Sequence, residues 1–407
     1  MFFLSKSYKL LRFLNRQPGP VLRAGISAIA WLCTLLFTGR LVLASGVFAM
    51  IWRKRDLKRG LRRVAWFASR SRLRLEVVSD PVFDVSEGMS LREVQATQAF
   101  LEGRRDTSLR GAMDLLTLKA ASLRPPMAMT QWDMGMKEFS SLANRLLAEP
   151  MAATPPTPGE TRERQGDFPV DAAANALRDF ADLFPNTEIP WFLVSGTFLG
   201  AVREGDFLPH DYDIDLGVRE DVSLQDMAKR VASDPRFSVI GTTDQEVLVA
   251  GPDGMGSHST QVLLKLLHRD GVHVDVFAHI LDGVELWHGS QLHRWDNKDF
   301  ALVPYPLAGI SVFGAADADL YLTENYGDWR TPRTGFNPST GTPNLRIVHN
   351  LASLVLFLKR YALARQECDI GSERIAELME EGGYIMREGS EWRFNPAVFR
   401  QDLRRVT

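Results

Sequence analysis

Two aspartates on one face of a short apolar strand constrain this chain more than any other feature. Residues 212–218 read YDIDLGV. The two-residue period of a strand places Asp213 and Asp215 on one face, and Ile214 and Leu216 on the other. Two carboxylates this close repel each other and lose hydration when buried, so an ordinary core does not keep them without a partner. A divalent cation would supply the opposite charge, and hard oxygen ligands suit Mg²⁺ or Mn²⁺.

Two further segments add a turn and a third carboxylate. Residues 191–194, WFLV, predict a buried strand that ends near Gly196 and Thr197. Because glycine has no Cβ, the backbone there can approach a ligand closely. Residues 272–278, VHVDVFA, form another strand pattern that carries Asp275. Three carboxylates of this kind are typical of nucleotidyl transfer, in which a cation clamps the donor phosphates and one carboxylate accepts the acceptor's proton.

Several neighbouring residues have more than one interpretation. Asp275 alone would also suit a hairpin cap or a partner of arginine. Asp211 shares the strand parity of Asp213 and is either another ligand or a turn residue. For His210 and His273, packing or hydrogen bonding is favoured over metal ligation.

Two cations are candidates for binding the donor phosphates. Arg203 is one, because a guanidinium binds phosphate oxygens through two parallel hydrogen bonds, although it would also serve in an ion pair. Lys265, in the strand pattern QVLLKLLH, would reach the same phosphates or remain solvated. Together with the backbone at Gly196 and Thr197, and with Asp211, they form the predicted donor-binding set.

Four motifs, in this order, resemble the LicD/fukutin family. Residues 196–203, GTFLGAVR, are similar to the family's GTLLGAVR. Residues 209–215, PHDYDID, are similar to its PWDDDID-type run. Asp275 in a DVF context and residues 326–332, YGDWRTP, follow in the expected order.

This resemblance covers roughly residues 170–335, with departures at His210 and Tyr212 that bear on acceptor or donor choice. It implies a nucleotidyltransferase-fold enzyme that transfers a phospho-substituent from a CDP-linked donor to a hydroxyl of a glycan or glycolipid. Phosphocholine and phospho-alditols are substituents of this type. The process would be glycan modification or polysaccharide biosynthesis.

The resemblance also implies roles for the site residues. Asp213 and Asp215 would bind Mg²⁺ or Mn²⁺, with Asp275 as a third ligand or as the general base. Arg203 would contact the phosphates. The alternatives are a nucleotidyltransferase that modifies a protein or small molecule, leaving pyrophosphate, and a non-catalytic membrane scaffold.

Charge is divided unevenly along the chain, although the formal net charge is only −2. Residues 1–75 carry sixteen Lys and Arg and one acid, Asp56, whereas the remainder has a net charge of −17. This division predicts a basic N-terminal segment that meets an anionic membrane surface. Neither an aromatic-studded basic sheet nor a reading helix accompanies the charges, so no nucleic-acid partner is predicted.

The longest apolar stretch, residues 24–52, is interrupted only by Arg40. An arginine at mid-bilayer costs about 2.5–3.5 kcal/mol, and residues 24–39 are shorter than the roughly 20 residues of a span. A tilted span, a hairpin that turns near residues 38–40, and a segment lying on the membrane therefore all remain open. Basic residues on both sides favour two cytoplasmic ends and a cytoplasmic catalytic domain.

The other segments predict an α+β protein with a nucleotidyltransferase-like mixed sheet and flanking helices. Residues 53–70 form an amphipathic basic helix that would bind anionic lipid or pack on the protein body. After the basic segment, we predict a helical adaptor at 76–150, a linker at 151–167, a catalytic domain at 168–345 and a C-terminal helical buttress at 346–407. Cys33 and Cys368 are too few for a disulfide framework or a zinc site, which fits a reducing compartment.

Overall fold

The computed structural model describes residues 19–71, 82–153, 169–209, 211, 213–332, 338–369 and 371–400. The chain divides into two compact units. The first contains residues 1–149, 358–363 and 389–394, and the second contains 150–357, 364–388 and 395–407.

The first unit is largely helical. Its helices are α1 Pro20–Thr38, α2 Leu41–Trp52, α3 Leu57–Arg70, α4 Leu91–Glu102, α5 Leu109–Ser122 and α6 Met129–Leu147. The start of α4 is a capping box, in which the Ser90 side chain accepts from the backbone N–H of Glu93 and the Glu93 side chain accepts from Ser90. Between α3 and α5, Arg70 donates two hydrogen bonds to the buried Asp114 carboxylate, at 2.8 and 3.2 Å.

The apolar stretch of the N-terminal part forms a helical hairpin. Helix α1 ends at Gly39, which has a left-handed conformation with φ of 66° and donates its N–H to the carbonyl of Leu35. Helix α2 then packs back along α1, and the Arg23 guanidinium lies 5.2 Å from the ring of Trp52. Among the described residues, α1 is the one helix whose length and composition would allow a membrane crossing.

The second unit is an α+β structure. Its central elements are α7 Val170–Leu183, β1 Trp191–Leu193, α8 Ser195–Arg203, β2 Asp213–Arg219, α9 Leu224–Val231, β3 Phe237–Gly251, β4 Gly254–His268, β5 His273–Asp282, β6 Glu285–Gly289, β7 His293–Lys298, β8 Leu302–Leu307, β9 Ile310–Ala315, α10 Ala318–Tyr326, α11 Pro338–Gly341 and β10 Leu345–Ile347. These elements confirm the predicted mixed sheet with flanking helices.

The C-terminal part mixes helices with short strands. It contains α12 Leu351–Gln366, α13 Gly371–Glu381, β11 Ile385–Glu388, β12 Glu391–Phe394 and a 3₁₀ helix Pro396–Arg400. The two helices were predicted, whereas the strands were not. Residues 358–363 of α12 belong to the first unit, as does β12.

The ten-stranded sheet has the order β10-β7-β6-β5-β2-β1-β9-β8, with β4 paired to β5 and β3 paired to β4. The pairs β2–β5 and β1–β9 are parallel, and the other pairs are antiparallel. Strand β5 is therefore central, since it pairs with β2 over residues 273–279, with β4 over 273–277 and with β6 over 280–282.

Aromatic packing fixes the strand that leads into the candidate site. The ring of Phe180 on α7 meets Trp191 edge to face at 5.2 Å, and the Trp191 indole N–H donates to the Phe184 carbonyl at 2.7 Å. On β2, a Cβ at Gly217 would overlap the ring of Phe192 and would lie 2.8 Å from His279. Glycine at this position lets both rings pack over the sheet.

Candidate active site

Three aspartates meet on adjacent parallel strands. Asp215 on β2 is the direct neighbour of Asp275 on β5, and Asp213 lies two residues before Asp215 on the same face. One carboxylate oxygen from each of the three lies within 4.8 Å of the others. Asp213 is 9% exposed and Asp275 6%, whereas Asp215 is partly exposed. The sequence-predicted triad is therefore assembled at the N-terminal ends of β2 and β5.

The negative charge of the cluster is not fully neutralised by nearby cationic side chains. Burial, followed by the charges of Asp211 and Asp275, raises the pKa of Asp213 from 3.8 to about 8. Burial of the carboxyl group and the charges of Asp213, Asp211 and Asp275 likewise raise the pKa of Asp215 well above its ordinary value. Raised carboxyl pKa values of this kind indicate a site that favours added positive charge.

Lys265 is the nearest cation that strand pairing brings to the cluster. It lies on β4 directly opposite Asp275, and its ammonium group forms an ion pair with the Asp275 carboxylate. The charge of Lys265 lowers the pKa of both Asp213 and Asp215, but burial and the acidic neighbours outweigh it. Its side chain is 41% exposed, so the ammonium group is also accessible from solvent.

The first turn of α8 positions the second aspartate of the triad. The buried hydroxyl of Thr197 accepts a hydrogen bond from the backbone N–H of Asp215 at 2.9 Å. Ser195, just before it, has a positive φ of 50°, which is unusual for a residue with a Cβ. A Cβ at Gly196 would lie only 2.8 Å from a carboxylate oxygen of Asp211. The close approach predicted at Gly196 is therefore an approach of Asp211 to the backbone.

Arg203 lies at the other end of α8. At about 1.5 Å per residue, the nine-residue helix places Arg203 about 12 Å from Ser195, its first residue. The Arg203 side chain donates to Glu204 at 2.7 Å and to the carbonyl of Trp329 at 3.0 Å. The contacts of Arg203 thus join α8 to the segment that follows α10.

That segment contains the fourth predicted motif. The indole N–H of Trp329 donates to Asp319 at 3.0 Å. Arg330 forms an ion pair with the same carboxylate at 2.8 Å and stacks over the Trp329 ring at 4.3 Å. These contacts give Trp329 a packing role, because the residue is 9% exposed and Arg330 covers one side of its ring.

One buried residue near the site was not predicted from the sequence. Tyr321 on α10 packs its ring against Phe198 and Phe300, at 5.4 and 5.3 Å. Burial raises the pKa of the Tyr321 hydroxyl well above its usual range, and the charge of Asp215 raises it further. The Ser195 backbone lowers this pKa, but burial outweighs it. Tyr321 thus packs against Phe198 of α8, within electrostatic reach of Ser195 and Asp215. A single tyrosine inside a helix offers no sequence signal for such a position.

Of the two histidines considered in the sequence, only His273 belongs to the described residues. His210 lies outside the described residues, as does Tyr212. His273 is exposed and pairs in register with Asp213 on the neighbouring strand. His273 therefore lies at the start of β5, two residues before Asp275 and beside Asp213.

The donor set of the triad fits a hard divalent cation. The three carboxylate oxygens come from rigid, adjacent strands and lie close enough to share one ion. Their repulsion, visible in the raised pKa values of Asp213 and Asp215, is the charge that such an ion would offset. Among the described residues, carboxylate oxygens alone make up the cluster, and such ligands suit magnesium or manganese better than zinc.

Comparison with known proteins identifies relatives of this domain. Residues 188–312 match the family described as LicD/FKTN/FKRP, nucleotidyltransferase domain. That range contains the triad, Gly196, Thr197 and Lys265, whereas residues 326–332 lie beyond it. The chain is 23% identical to Ribitol-5-phosphate transferase FKTN of Mus musculus over 184 residues, which are 44% of this chain and 36% of that protein.

Two bacterial relatives are similar at the same level. An uncharacterized protein of Rickettsia typhi is 24% identical over 157 residues, covering 38% of this chain and 45% of the relative. An uncharacterized protein of Rickettsia prowazekii is 24% identical over 156 residues, covering 38% and 53%. The matched regions thus span about a third to a half of these relatives. The family match over residues 188–312 confirms the resemblance to the LicD/fukutin family that the motifs predicted.

Proposed function

We propose that the second unit is a metal-dependent transferase that moves a phospho-substituent from a CDP-linked donor to a glycan hydroxyl. The observation that carries the proposal is the triad of Asp213, Asp215 and Asp275 inside the region that matches the LicD/FKTN/FKRP domain. The mouse relative is named a ribitol-5-phosphate transferase, which makes a phospho-alditol the first donor group to test and phosphocholine the second. A nucleotidyltransferase-like fold is part of this proposal.

The residues would divide the work as follows. Asp213 and Asp215 would hold a Mg²⁺ or Mn²⁺ ion, with Asp275 either completing the ligand set or accepting the acceptor's proton. When bound, the ion would neutralise charge on the donor phosphates. Thr197 keeps Asp215 in place through its hydrogen bond to the strand backbone.

The transfer itself balances without a further reactant. The acceptor hydroxyl oxygen forms a bond to the β-phosphorus of the donor, and the bond from that phosphorus to the oxygen of CMP breaks. CMP leaves with the electron pair, while the hydroxyl proton passes to a carboxylate such as Asp275. The alternative, nucleotidyl transfer to a protein or small molecule, would release pyrophosphate instead.

Lys265 is better placed than Arg203 to contact the donor phosphates. Its ammonium group lies beside Asp275 and its side chain is 41% exposed, whereas Arg203 is engaged with Glu204 and Trp329. The first backbone N–H groups of α8, near Gly196 and Thr197, would add an uncharged anion site at the helix N-terminus. We therefore propose a structural role for Arg203.

The acceptor would be a glycan or glycolipid at an anionic membrane surface, with the catalytic domain on the cytoplasmic side. The basic composition of residues 1–75 and the apolar helix α1 support this location. An acceptor held at the membrane would then share one surface with the enzyme.

The proposal can be tested with the full chain in detergent. CMP release is measured with Mg²⁺ or Mn²⁺ and a panel of CDP-linked donors, including an acceptor-free control for hydrolysis. Asp215→Asn is compared with Asp253→Asn, because Asp253 is an exposed aspartate in the β3–β4 turn. Release that needs metal and Asp215, but not Asp253, supports the proposal. Pyrophosphate release from nucleotides would favour nucleotidyl transfer. Neither product from any donor, with both variants unchanged in metal binding, would favour the scaffold alternative.

A further inference from the structure

The outward face of α1 is apolar along the whole helix. At 100° per residue, its exposed positions fall in one stripe about 120° wide. The large members are Val21, Leu22, Ile29, Leu32 and Leu36, which are 51–88% exposed. No polar side chain interrupts the stripe between residues 21 and 36. A soluble helix would turn such residues toward the core.

The inward face of α1 carries the opposite composition. Ser27 and Thr34 are completely buried and Ala30 is 3% exposed. The Ser27 hydroxyl donates to the carbonyl of Arg23 at 2.7 Å, and the Thr34 hydroxyl donates to that of Ala30 at 2.8 Å. Their hydrogen bonds are thus made within the helix. Small residues at a helix–helix contact with large apolar residues outside are typical of helices in lipid.

Helix α2 is not available to cross a bilayer. Leu43, Val47 and Ile51 are 0–2% exposed and belong to a core shared with later helices of the first unit. At the middle of α2, a Cβ at Gly46 would overlap the carboxylate of Glu93. That carboxylate is held by the capping box of α4, so a charged group is fixed against the centre of α2. A charge at this position in hydrocarbon would be costly.

The surrounding helices exclude a deeply inserted hairpin as well. Helix α3 packs against both α1 and α2. It presents Lys58 and Arg62 to solvent, and Arg53 and Lys54 are exposed just before it. Residues 19–71 contain ten Lys and Arg and one acid. Because α3 covers the other side of the hairpin, only the outward face of α1 can contact lipid. The exposed cations suit anionic headgroups.

We propose that α1 lies in the plane of one membrane leaflet, with its apolar stripe in the acyl boundary and the neighbouring cations at anionic headgroups. The chain would then be anchored to one leaflet without crossing it. This inference rests on the membrane association proposed above but not on the transferase activity. A second copy of the chain covering the same stripe is the competing occupant.

The geometry predicts the depth of labels along α1. Single labels are introduced by Val21→Cys, Ile29→Cys and Leu36→Cys in the full chain, with Cys33 and Cys368 replaced by serine. Spin-label depth is then measured on phosphatidylcholine vesicles with and without phosphatidylglycerol, with no donor present. The first and last labels are about 22 Å apart along the helix. We expect all three at one similar depth, about 5–10 Å into the boundary. A label at Ile29 that is much deeper than those at Val21 and Leu36, as in a spanning helix, would overturn the proposal, and so would a depth that increases steadily from Val21 to Leu36.

A substitution pair separates lipid from a second copy. Ile29→Glu combined with Leu36→Glu is expected to reduce partitioning into the anionic vesicles by at least about tenfold. Met134→Glu is the matched control, because Met134 is 62% exposed on α6 of the same unit. Circular dichroism checks that each variant folds, and sedimentation without lipid reports self-association. Two results would refute the lipid assignment. One is unchanged partitioning of the folded double variant. The other is a wild type that forms oligomers and does not bind vesicles, together with a double variant that is monomeric and does not bind them either. CMP release in detergent should be unaffected by either variant.

Discussion

Replacing Asp213 with asparagine is expected to stabilise the metal-free protein. Burial, together with the charges of Asp211 and Asp275, raises the pKa of Asp213 from 3.8 to about 8. At pH 7 the carboxyl is therefore protonated in the folded state and ionised in the unfolded chain. Because folding must then take up a proton, stability present below pH 3.8 is progressively lost as the pH rises toward 8.

The size of the effect follows from the same values. At pH 7 the unfolded carboxyl is about three pH units above its pKa, and each unit corresponds to about 1.4 kcal/mol. The buried Asp213 carboxyl thus costs about 4 kcal/mol of unfolding free energy at pH 7. Asparagine has nearly the same shape and no charge. Because Asp215 and Asp275 remain, we expect a gain of about 1–4 kcal/mol.

Metal should act on the wild type in the same direction. A cation that binds only the folded state adds about 2.7 kcal/mol at a hundredfold excess over its dissociation constant. Urea denaturation is therefore followed in EDTA and in saturating Mg²⁺ or Mn²⁺, with Asp253→Asn as the exposed control. The wild type and the control should gain stability with metal, while Asp213→Asn should start higher and gain little. A variant less stable than the wild type in EDTA, or stabilised equally by metal, would refute the reasoning.

Three further perturbations test neighbouring parts of the second unit. Thr197→Val leaves the Asp215 N–H without its acceptor, so urea denaturation should show a loss of about 1–3 kcal/mol relative to Thr197→Ser, and equal stabilities would contradict this role. Gly196→Ala would place a methyl group 2.8 Å from an Asp211 oxygen; we expect weaker Mn²⁺ binding by titration, and unchanged binding would show that Asp211 moves freely. Burial lowers the pKa of His288 to about 4, so the unfolded chain takes up the proton first as the pH falls below 6.5. The His288 contribution should destabilise the fold by about 3 kcal/mol between pH 6.5 and 4. His288→Gln should flatten that part of the pH–stability curve, and an unchanged curve would refute the assignment.

Local chemistry made much of the fold predictable. Apolar residues at three- and four-residue spacing predict a helix over residues 91–102, and the structure has α4 there, started by the capping box of Ser90 and Glu93. The dipeptide Asp270-Gly271 between two strand patterns predicts a hairpin, and it joins β4 and β5, with Gly271 at a φ of 86°. Strand parity likewise placed the triad on one face. In each case, residues close in sequence determine the geometry.

Predictions failed where local patterns are ambiguous. The sequence pattern predicts two short strands, around residues 237–240 and 246–250. The structure has a single strand there, β3, with register shifts and a largely exposed face that hides its periodicity. Strand β8 contains Pro304 and Pro306, which argue against a strand. These prolines are tolerated because β8 is the last strand in the sheet formed by the described residues.

Residues brought together by tertiary contacts were harder to place. The sequence does not indicate that Asp211 approaches Gly196, or that Tyr321 lies near the same turn. Arg203 shows the converse, because its motif position suggests phosphate binding whereas its described contacts are Glu204 and Trp329. Distances across elements depend on packing that a single sequence does not display.

The register of β2 against β5 connects the core to the site. Asp215 lies opposite Asp275, and on the other face Ile214 lies opposite Val274, both completely buried. A shift of one residue would move Asp275 to the apolar face and expose Val274, so core packing strongly disfavours it. A shift of two residues would keep the parity but separate the carboxylates by about 7 Å along the strands. The pairing of β5 with β4 and β6 opposes that shift. The aspartates supply the charge of the triad, and the buried apolar residues beside them, Ile214 and Val274, fix its geometry.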